Sequence, residues 1–420
     1  MPAYRIKTLV QASFWSAAVI VGISSVVFEK LVHITQDLFQ NLFEKHSILV
    51  CLATPVLFLA SASLVRFFAP HAKGSGIPQA LKAMMLSLGS HQTALRTGLI
   101  SLKTALVKVL SASLALLAGA SVGREGPTVQ ISTAIFAWIG SRTKKVFPHV
   151  DFHSYIVAGS AAGVAAAFNT PLAGISFALE EMAEGSFAQI KQTVMVSVIV
   201  AGIAAQTLVG NYTYFGHPII PEPDFQIVIP AIVIGVLGGL FGGLFAKIVS
   251  HPKLPTHRFK WWQVALTCGA IVAVINWLTD GTSAGSGYRI TRDFMDSPDA
   301  TMSWHYPVTK LLTTIFSFVS GMAGGIFSPS LAIGAGLGVS AAKIAAFASL
   351  KTCALLGMVA FFTGTVGAPL TAVIIVMEMT DVHPVIIPLM ISAFVAHGVS
   401  RLIMPKSLYH LLAHQNYKTK

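Results

Sequence analysis

Residues 119–128 read GASVGREGPT and residues 321–338 read GMAGGIFSPSLAIGAGLG, each set between long apolar runs. A third break, TGTVGAPLT at 363–371, interrupts a stretch otherwise long enough for one continuous helix. Glycine and proline weaken or end helices at such places. Irregular backbone at membrane depth survives only when it is buried in protein or lines a cavity. Each break also leaves a helix N-terminus inside the membrane, with N–H groups unpaired and the positive end of the helix dipole facing inward. Such ends attract anions. A cation site would instead need carbonyls and clustered carboxylates.

The sequence around the breaks is that of a membrane protein. Of 420 residues, 54% are hydrophobic and only 10% are charged, with a mean hydropathy of +0.72. A soluble domain carries about 25% charged residues. Apolar stretches near the roughly 20 residues that a bilayer helix needs recur at 8–28, 47–68, 95–120, 189–210, 226–249, 261–279, 306–323, 352–377 and 384–404. The first is too long for a signal peptide, and no small-residue cleavage site followed by a soluble domain comes after it. No soluble appendage is expected at either end. The net charge of +12 resides in connectors and termini (Arg5, Lys7, Lys73, Arg142, Lys144, Lys145, Lys406, Lys418, Lys420). Basic and aromatic residues do not interleave into a strand-binding groove, so nucleic acid is excluded. The positive-inside pattern accounts for the charge and puts both termini in the cytoplasm. Cys51, Cys268 and Cys353 are too dispersed for a disulfide framework or metal spacing. No cofactor is expected. Among the scattered histidines, His257, His383 and His410 read as interface or loop residues.

The two halves of the chain resemble each other. Gly74-Ser75-Gly76 is echoed at Gly285-Ser286-Gly287, and Gly123-Arg124-Glu125-Gly126-Pro127 at Gly325-Ile326-Phe327-Ser328-Pro329. Pro171-Leu172 with Glu180 is echoed at Pro369-Leu370 with Glu378. A repeat of about 200 residues in an apolar chain suggests a transporter whose site lies between the repeats. We divide the chain into a first repeat at 1–210, a connecting loop at 211–226 and a second repeat at 227–420. The residues alone leave open whether the repeats are parallel or inverted.

Four of the sixteen acidic residues, Glu125, Glu180, Glu181 and Glu378, lie inside the repeated motifs, and the rest sit in loops or near span ends. An ionisable residue within a span is costly and points to function. Glu125 opens a helix after a glycine turn. It is either a capping acid paired with Arg124 or a carboxylate that occupies an anion's place when ionised and leaves when protonated. Glu180 has a repeat partner in Glu378, which suggests a shared structural role such as a hydrogen-bond acceptor. Glu181 faces Met379 in the alignment and suits a role needed once, unless both acids simply mark the water boundary. Lys108, in an apolar run, is structural or tunes the local potential. Ser75 offers a hydroxyl beside turn N–H groups, with an ordinary loop serine as the plain alternative. Tyr409 lies on an amphipathic terminal segment, where an interface tyrosine is the plain alternative.

Five segments, GSGIPQ at 74–79, GREGPTVQ at 123–130, NTPLAGISFALEEM at 169–182, GGIFSPS at 324–330 and KSLYHLL at 406–412, resemble the signature elements of the CLC family of chloride channels and transporters, in the family's order. The resemblance covers essentially the whole chain. It implies an all-α integral membrane protein of two inverted-topology repeats with many tilted and broken helices, assembled as a homodimer with one pore per subunit. It further implies that Ser75, with Gly76, and Tyr409 present a central anion site. Backbone N–H groups of Ile326, Phe327 and the Arg124–Gly126 turn would face anion positions. Glu125 matches the external gating glutamate and Glu181 the internal proton glutamate, with Arg124 and Lys108 in support. Relatives often carry proline before the glycine pair, where this chain has Met322-Ala323. The nucleotide-binding pair of eukaryotic members has no counterpart here, which suits a prokaryotic inner membrane.

The resemblance therefore implies a chloride/proton antiporter, with chloride, protons and lipid as partners. The alternative is a passive chloride channel gated by Glu125, and Glu181 favours exchange because channel members generally lack that acid. Serine at position 75 together with Tyr409 suits chloride, with bromide and nitrate tolerated, where proline at 75 would suggest nitrate and the fluoride exporters depart at both motifs. A membrane hydrolase is a third possibility, since Gly281-Thr282-Ser283-Ala284-Gly285 matches G-x-S-x-G. That motif needs a strand before it and a helix after it, and here it lies in a glycine-rich connector.

Overall fold

The computed structural model describes residues 3–87, 93–182, 192–210, 213–220, 224–251, 259–296, 303–345 and 349–415. Its regular structure is helical among those residues. The first half contains α1 (Ala3–Phe68), α2 (Ile77–Ser87), α3 (Thr93–Leu99), α4 (Leu102–Leu117), α5 (Glu125–Val146), α6 (Phe152–Phe168), α7 (Pro171–Phe177) and α8 (Gln192–Val209). The second contains α9 (Val228–Val249), α10 (Trp261–Leu278), α11 (Tyr288–Asp296), α12 (Tyr306–Val319), α13 (Phe327–Ala345), α14 (Leu350–Val366), α15 (Pro369–Thr380), α16 (Ile386–Ile403) and α17 (Leu408–Gln415). Of the residues expected in connectors or at the ends, Arg5, His257, Lys418 and Lys420 lie outside the described side chains.

Three of the expected spans, 8–28, 47–68 and 352–377, take a different form. The stretches at 8–28 and 47–68 belong to the single 66-residue α1, bent at His46 (φ −143°, ψ 52°). Residues 29–46 contain neither glycine nor proline, so the backbone runs helically through this polar stretch. At 1.5 Å per residue its first arm is about 60 Å long, roughly twice the hydrocarbon thickness, and it must lean or project. The stretch at 352–377 is instead two helices, α14 and α15. They part at Gly367, which is left-handed (φ 90°) and is followed two residues later by Pro369 at the first position of α15.

The most buried helices are not the longest. α6 and α14 are 17 residues each, about 25 Å, and almost every side chain on them is buried. A helix apolar on all sides belongs in an interior. Small residues make that packing possible. Gly334 and Gly338 of α13 lie so close to Gly357 and Cys353 of α14 that an added methyl would strike backbone carbonyls. The outer surface is apolar as well. Ile48, Leu52 and Val56, spaced by four on α1, are 61–71% exposed, as suits contact with lipid. Seven helical stretches among the described residues are long and apolar enough to cross a bilayer.

An approximate two-fold exchange relates the halves. Gly123 N–H donates to Gly325 O (2.7 Å) and Gly325 N–H to Gly123 O (2.8 Å). Gly74 N–H donates to Met322 O (2.8 Å), while Gly285 N–H donates to Ala120 O (3.1 Å). The Glu180 carboxylate accepts from Leu370 and Thr371 N–H (3.0 and 2.6 Å) at the start of α15. The Glu378 carboxylate accepts from Leu172 and Ala173 N–H (3.2 and 2.7 Å) at the start of α7. Each acid thus caps the other repeat's helix, satisfying N–H groups that have no partner within it. The same exchange pairs two fully buried lysines. Lys108 Nζ donates to Gly74 O (2.7 Å), and Lys310 Nζ to the carbonyls of Ser283, Ala284 and Gly285 (2.7–3.0 Å).

Candidate anion site and its two acids

Three broken segments meet at the middle of the molecule. α2 packs against α5 and α17, and α5 packs against α13. Gly74 and Gly76 take left-handed backbone (φ 67° and 112°), which turns Ser75 inward ahead of α2. Ser75 is 2% exposed and Tyr409, the second residue of α17, is 0% exposed. Their hydroxyls lie close enough to interact, yet neither has a hydrogen-bond partner of good geometry within the chain. A buried hydroxyl without a partner is costly, and two facing each other define a place for an acceptor. Gly126, at the start of α5, closes the third side: a β-carbon there would collide with the Ser75 hydroxyl.

Glu125, 1% exposed, is the first residue of α5. Its carboxylate does not stay over its own helix alone. It reaches across the two-fold to the first turn of α13, where Ser328 Oγ donates to Oε1 and Ser328 N–H approaches Oε2 at 3.4 Å. Gly123 makes this path possible, because a β-carbon there would overlap the carboxylate. A side-chain carboxyl group therefore sits at a helix N-terminus where a free anion would bind. Ile326 and Phe327 are both 1% exposed just ahead of Ser328. The Phe327 ring packs on Phe362 (4.2 Å) and Phe168 (4.8 Å).

Arg124 lies within electrostatic reach of Glu125 but makes its close ion pair elsewhere. Its guanidinium contacts Glu29 Oε2 at 2.8 Å and lies over the Tyr214 ring at 5.5 Å. Glu29, read from the sequence as a span-end acid, is buried inside α1 because the helix continues past residue 28. Glu29 also lies 3.7 Å from His33, one turn on.

Glu181, 2% exposed, sits in a single π turn, Ala178–Met182, that continues α7. Ser407 Oγ donates to its Oε1 at 2.6 Å. His410 is not a loop residue: it lies on α17 with Nε2 2.8 Å from the Glu181 carbonyl and 4.0 Å from Oε1. The segment that carries Tyr409 therefore also holds Glu181 from both sides, and Tyr409 is within electrostatic reach of Glu125 and Glu181 alike. Ser283 of the G-x-S-x-G match lies in the turn after α10, its carbonyl under Lys310 and its hydroxyl accepting from Thr279 (3.3 Å).

The profile of the voltage-gated chloride channel family matches residues 56–401. The chain belongs to the CLC family. It is similar in structure to a slow cyanobacterial Cl⁻/H⁺ antiporter (TM-score 0.82, 24% identity, 96% of this chain and 97% of that one). A CLC-type fluoride/proton antiporter matches with a TM-score of 0.79 and 22% identity, over 98% of this chain and 99% of that one. A eukaryotic CLC transporter matches with a TM-score of 0.78 and 20% identity, over 96% of this chain and 74% of that one. At these identities the likeness concerns the fold, with its inverted repeats. Within this CLC site, sequence reasoning missed Glu29, Ser328, Ser407, His410 and Lys310. Only Lys310 carried a visible signal, since it stands 202 residues after Lys108, the same offset that relates the GREGP and GIFSP motifs. The Met322-Ala323 departure is absorbed locally: the Ala323 N–H donates to Ser111 Oγ (3.1 Å), a bond proline could not make.

Proposed function

We propose that this CLC protein is a chloride/proton antiporter, a transporter and not an enzyme. The observation that carries the reading is the Glu125 carboxylate, which takes the hydrogen bonds of the α13 N-terminus in place of a mobile anion. Hydrogen bonds to a charged acceptor are worth about 1.5–3 kcal/mol, roughly twice those to a neutral one. Protonating Glu125 therefore loosens its hold and frees the position for chloride. Chloride occupies the space between the Ser75 and Tyr409 hydroxyls, the Gly76 turn and the N–H groups of Ile326 and Phe327. Its return displaces Glu125, which carries a proton with it. Glu181, buried beside Ser407 and His410, is the acid through which that proton reaches the opposite side. Both solved antiporters that this chain resembles are proton-coupled, which supports exchange over a passive channel. Chloride is favoured over fluoride on the Ser75–Tyr409 pair. The same reading puts the protein in a bacterial inner membrane with both termini cytoplasmic. It also makes it a homodimer with a pore in each subunit.

The test is purified protein in liposomes under a chloride gradient, with chloride and protons recorded together. Exchange requires protons to move uphill in the wild type, and Glu181→Ala must stop this while chloride still flows. Chloride flow with no driven protons in the wild type would make the protein a channel.

A further inference from the structure

α3, the C-terminal half of α5 and the start of α6 enclose a groove of about 610 Å³ that has no part in the cycle above. Arg96 lines it from α3, and Lys144 and Lys145 line it from the last turn of α5. No acidic side chain is among its lining residues. The nearest acid in sequence, Asp151, caps α6, accepting from His153 N–H (3.0 Å) and Ser154 Oγ (2.6 Å). Two lysines at a helix C-terminus complement its dipole. That role does not explain Arg96, which arrives from another helix.

The groove is also largely apolar. Leu102 and Trp138, each 42% exposed, form one wall, and Phe152 lies beneath Arg96. The Arg96 guanidinium stacks 4.8 Å from the Phe152 ring, and that of Arg142 stacks 3.6 Å from the Trp138 ring. A guanidinium held by its face presents its N–H edge outward, the geometry that suits a phosphate. Tryptophan beside basic residues at a helix end marks the headgroup level of a bilayer. Soluble phosphate would need no apolar wall, and a zwitterionic lipid would gain little from three unopposed cations.

We propose that this groove binds an anionic glycerophospholipid, its phosphodiester held by Arg96, Lys144 and Lys145 and an acyl chain lying along Leu102 and Trp138. Basic pockets between membrane helices are a recognised setting for such headgroups. The site rests on the membrane fold alone and stands whether the protein is an exchanger or a channel.

The experiment is native mass spectrometry of the purified full chain with phosphatidylglycerol, phosphatidylcholine or inorganic phosphate. Phosphatidylglycerol should survive activation on the wild type roughly tenfold better than phosphatidylcholine. The triple variant Arg96→Gln, Lys144→Gln, Lys145→Gln should lose that preference. A control with the same charge change, Lys30→Gln, Lys247→Gln, Lys406→Gln, should keep it. Equal retention of the two lipids, equal loss in both variants, or preferential capture of inorganic phosphate would each overturn the proposal. A second measurement leaves the cations intact. The Trp138 fluorescence, taken as wild type minus Trp138→Phe, should be quenched more by brominated phosphatidylglycerol than by brominated phosphatidylcholine, and equal quenching would sink the idea.

Discussion

The first and second repeats share a frame but not their chemistry. Gly123 answers Gly325, Glu180 answers Glu378 and Lys108 answers Lys310, each pair making reciprocal or parallel bonds. At two positions inside the motifs, the first repeat carries an ionisable group and the second an apolar one. Glu125 stands opposite Phe327, and Glu181 opposite Met379. The matched residues build the scaffold. In the proposed exchanger the unmatched ones give it a direction, because a symmetric frame with symmetric chemistry would treat both sides of the membrane alike.

The largest test of that contrast is Glu125→Gln. A neutral amide cannot carry the proton, so proton movement against its gradient should fall to background in the liposome assay while chloride still moves. Retained proton driving would break the assignment of the unmatched acid. Next in size are Glu180→Gln and Glu378→Gln. Each weakens one helix cap and should cost about 1–2 kcal/mol, by nearly equal amounts, in thermal unfolding of the detergent-solubilised protein. Coupling should persist in both, and a stability loss confined to one would show that the frame is less symmetric than its bonds.

Ser328→Ala should come third. It removes the hydroxyl that holds Glu125 on α13, about 1.5 kcal/mol, and should raise the chloride rate several-fold without abolishing coupling. Smallest is Arg289→Gln. It breaks an exposed ion pair with Asp37 (2.7 Å) outside the matched frame, and its effect on stability should stay under about 1 kcal/mol with unchanged transport.

The broken helices and the repeat were legible in the sequence because glycine and proline leave fixed marks, and an offset near 200 residues recurs wherever the two repeats align. The membership of Ser75, Glu125 and Tyr409 in one site came from the motif resemblance, since nothing local ties residue 75 to residue 409. Glu29 was hidden by hydropathy itself. The apolar run ends before it, while the helix, which needs only permissive backbone, continues to His46. His410 was hidden by its company, for a histidine on an amphipathic terminal segment reads as a surface residue until its partner, 229 residues earlier, is in view. Lys310 was within reach of the repeat arithmetic, but a lone lysine in an apolar run gives no hint that it braces three carbonyls.

The Arg124–Glu29 pair has a consequence for how long an anion stays. An unopposed guanidinium beside the central position would bind chloride tightly and release it slowly. Here the guanidinium is matched by a carboxylate at 2.8 Å, and Lys108 is turned to a backbone carbonyl. In the proposed site the direct contacts with the anion are then hydroxyls and the fractional charges at helix ends. Ion passage requires a site that is favourable to enter and easy to leave, and in the exchanger proposed above a residence set by dipoles would be short enough for the next proton to find the gate ready to move.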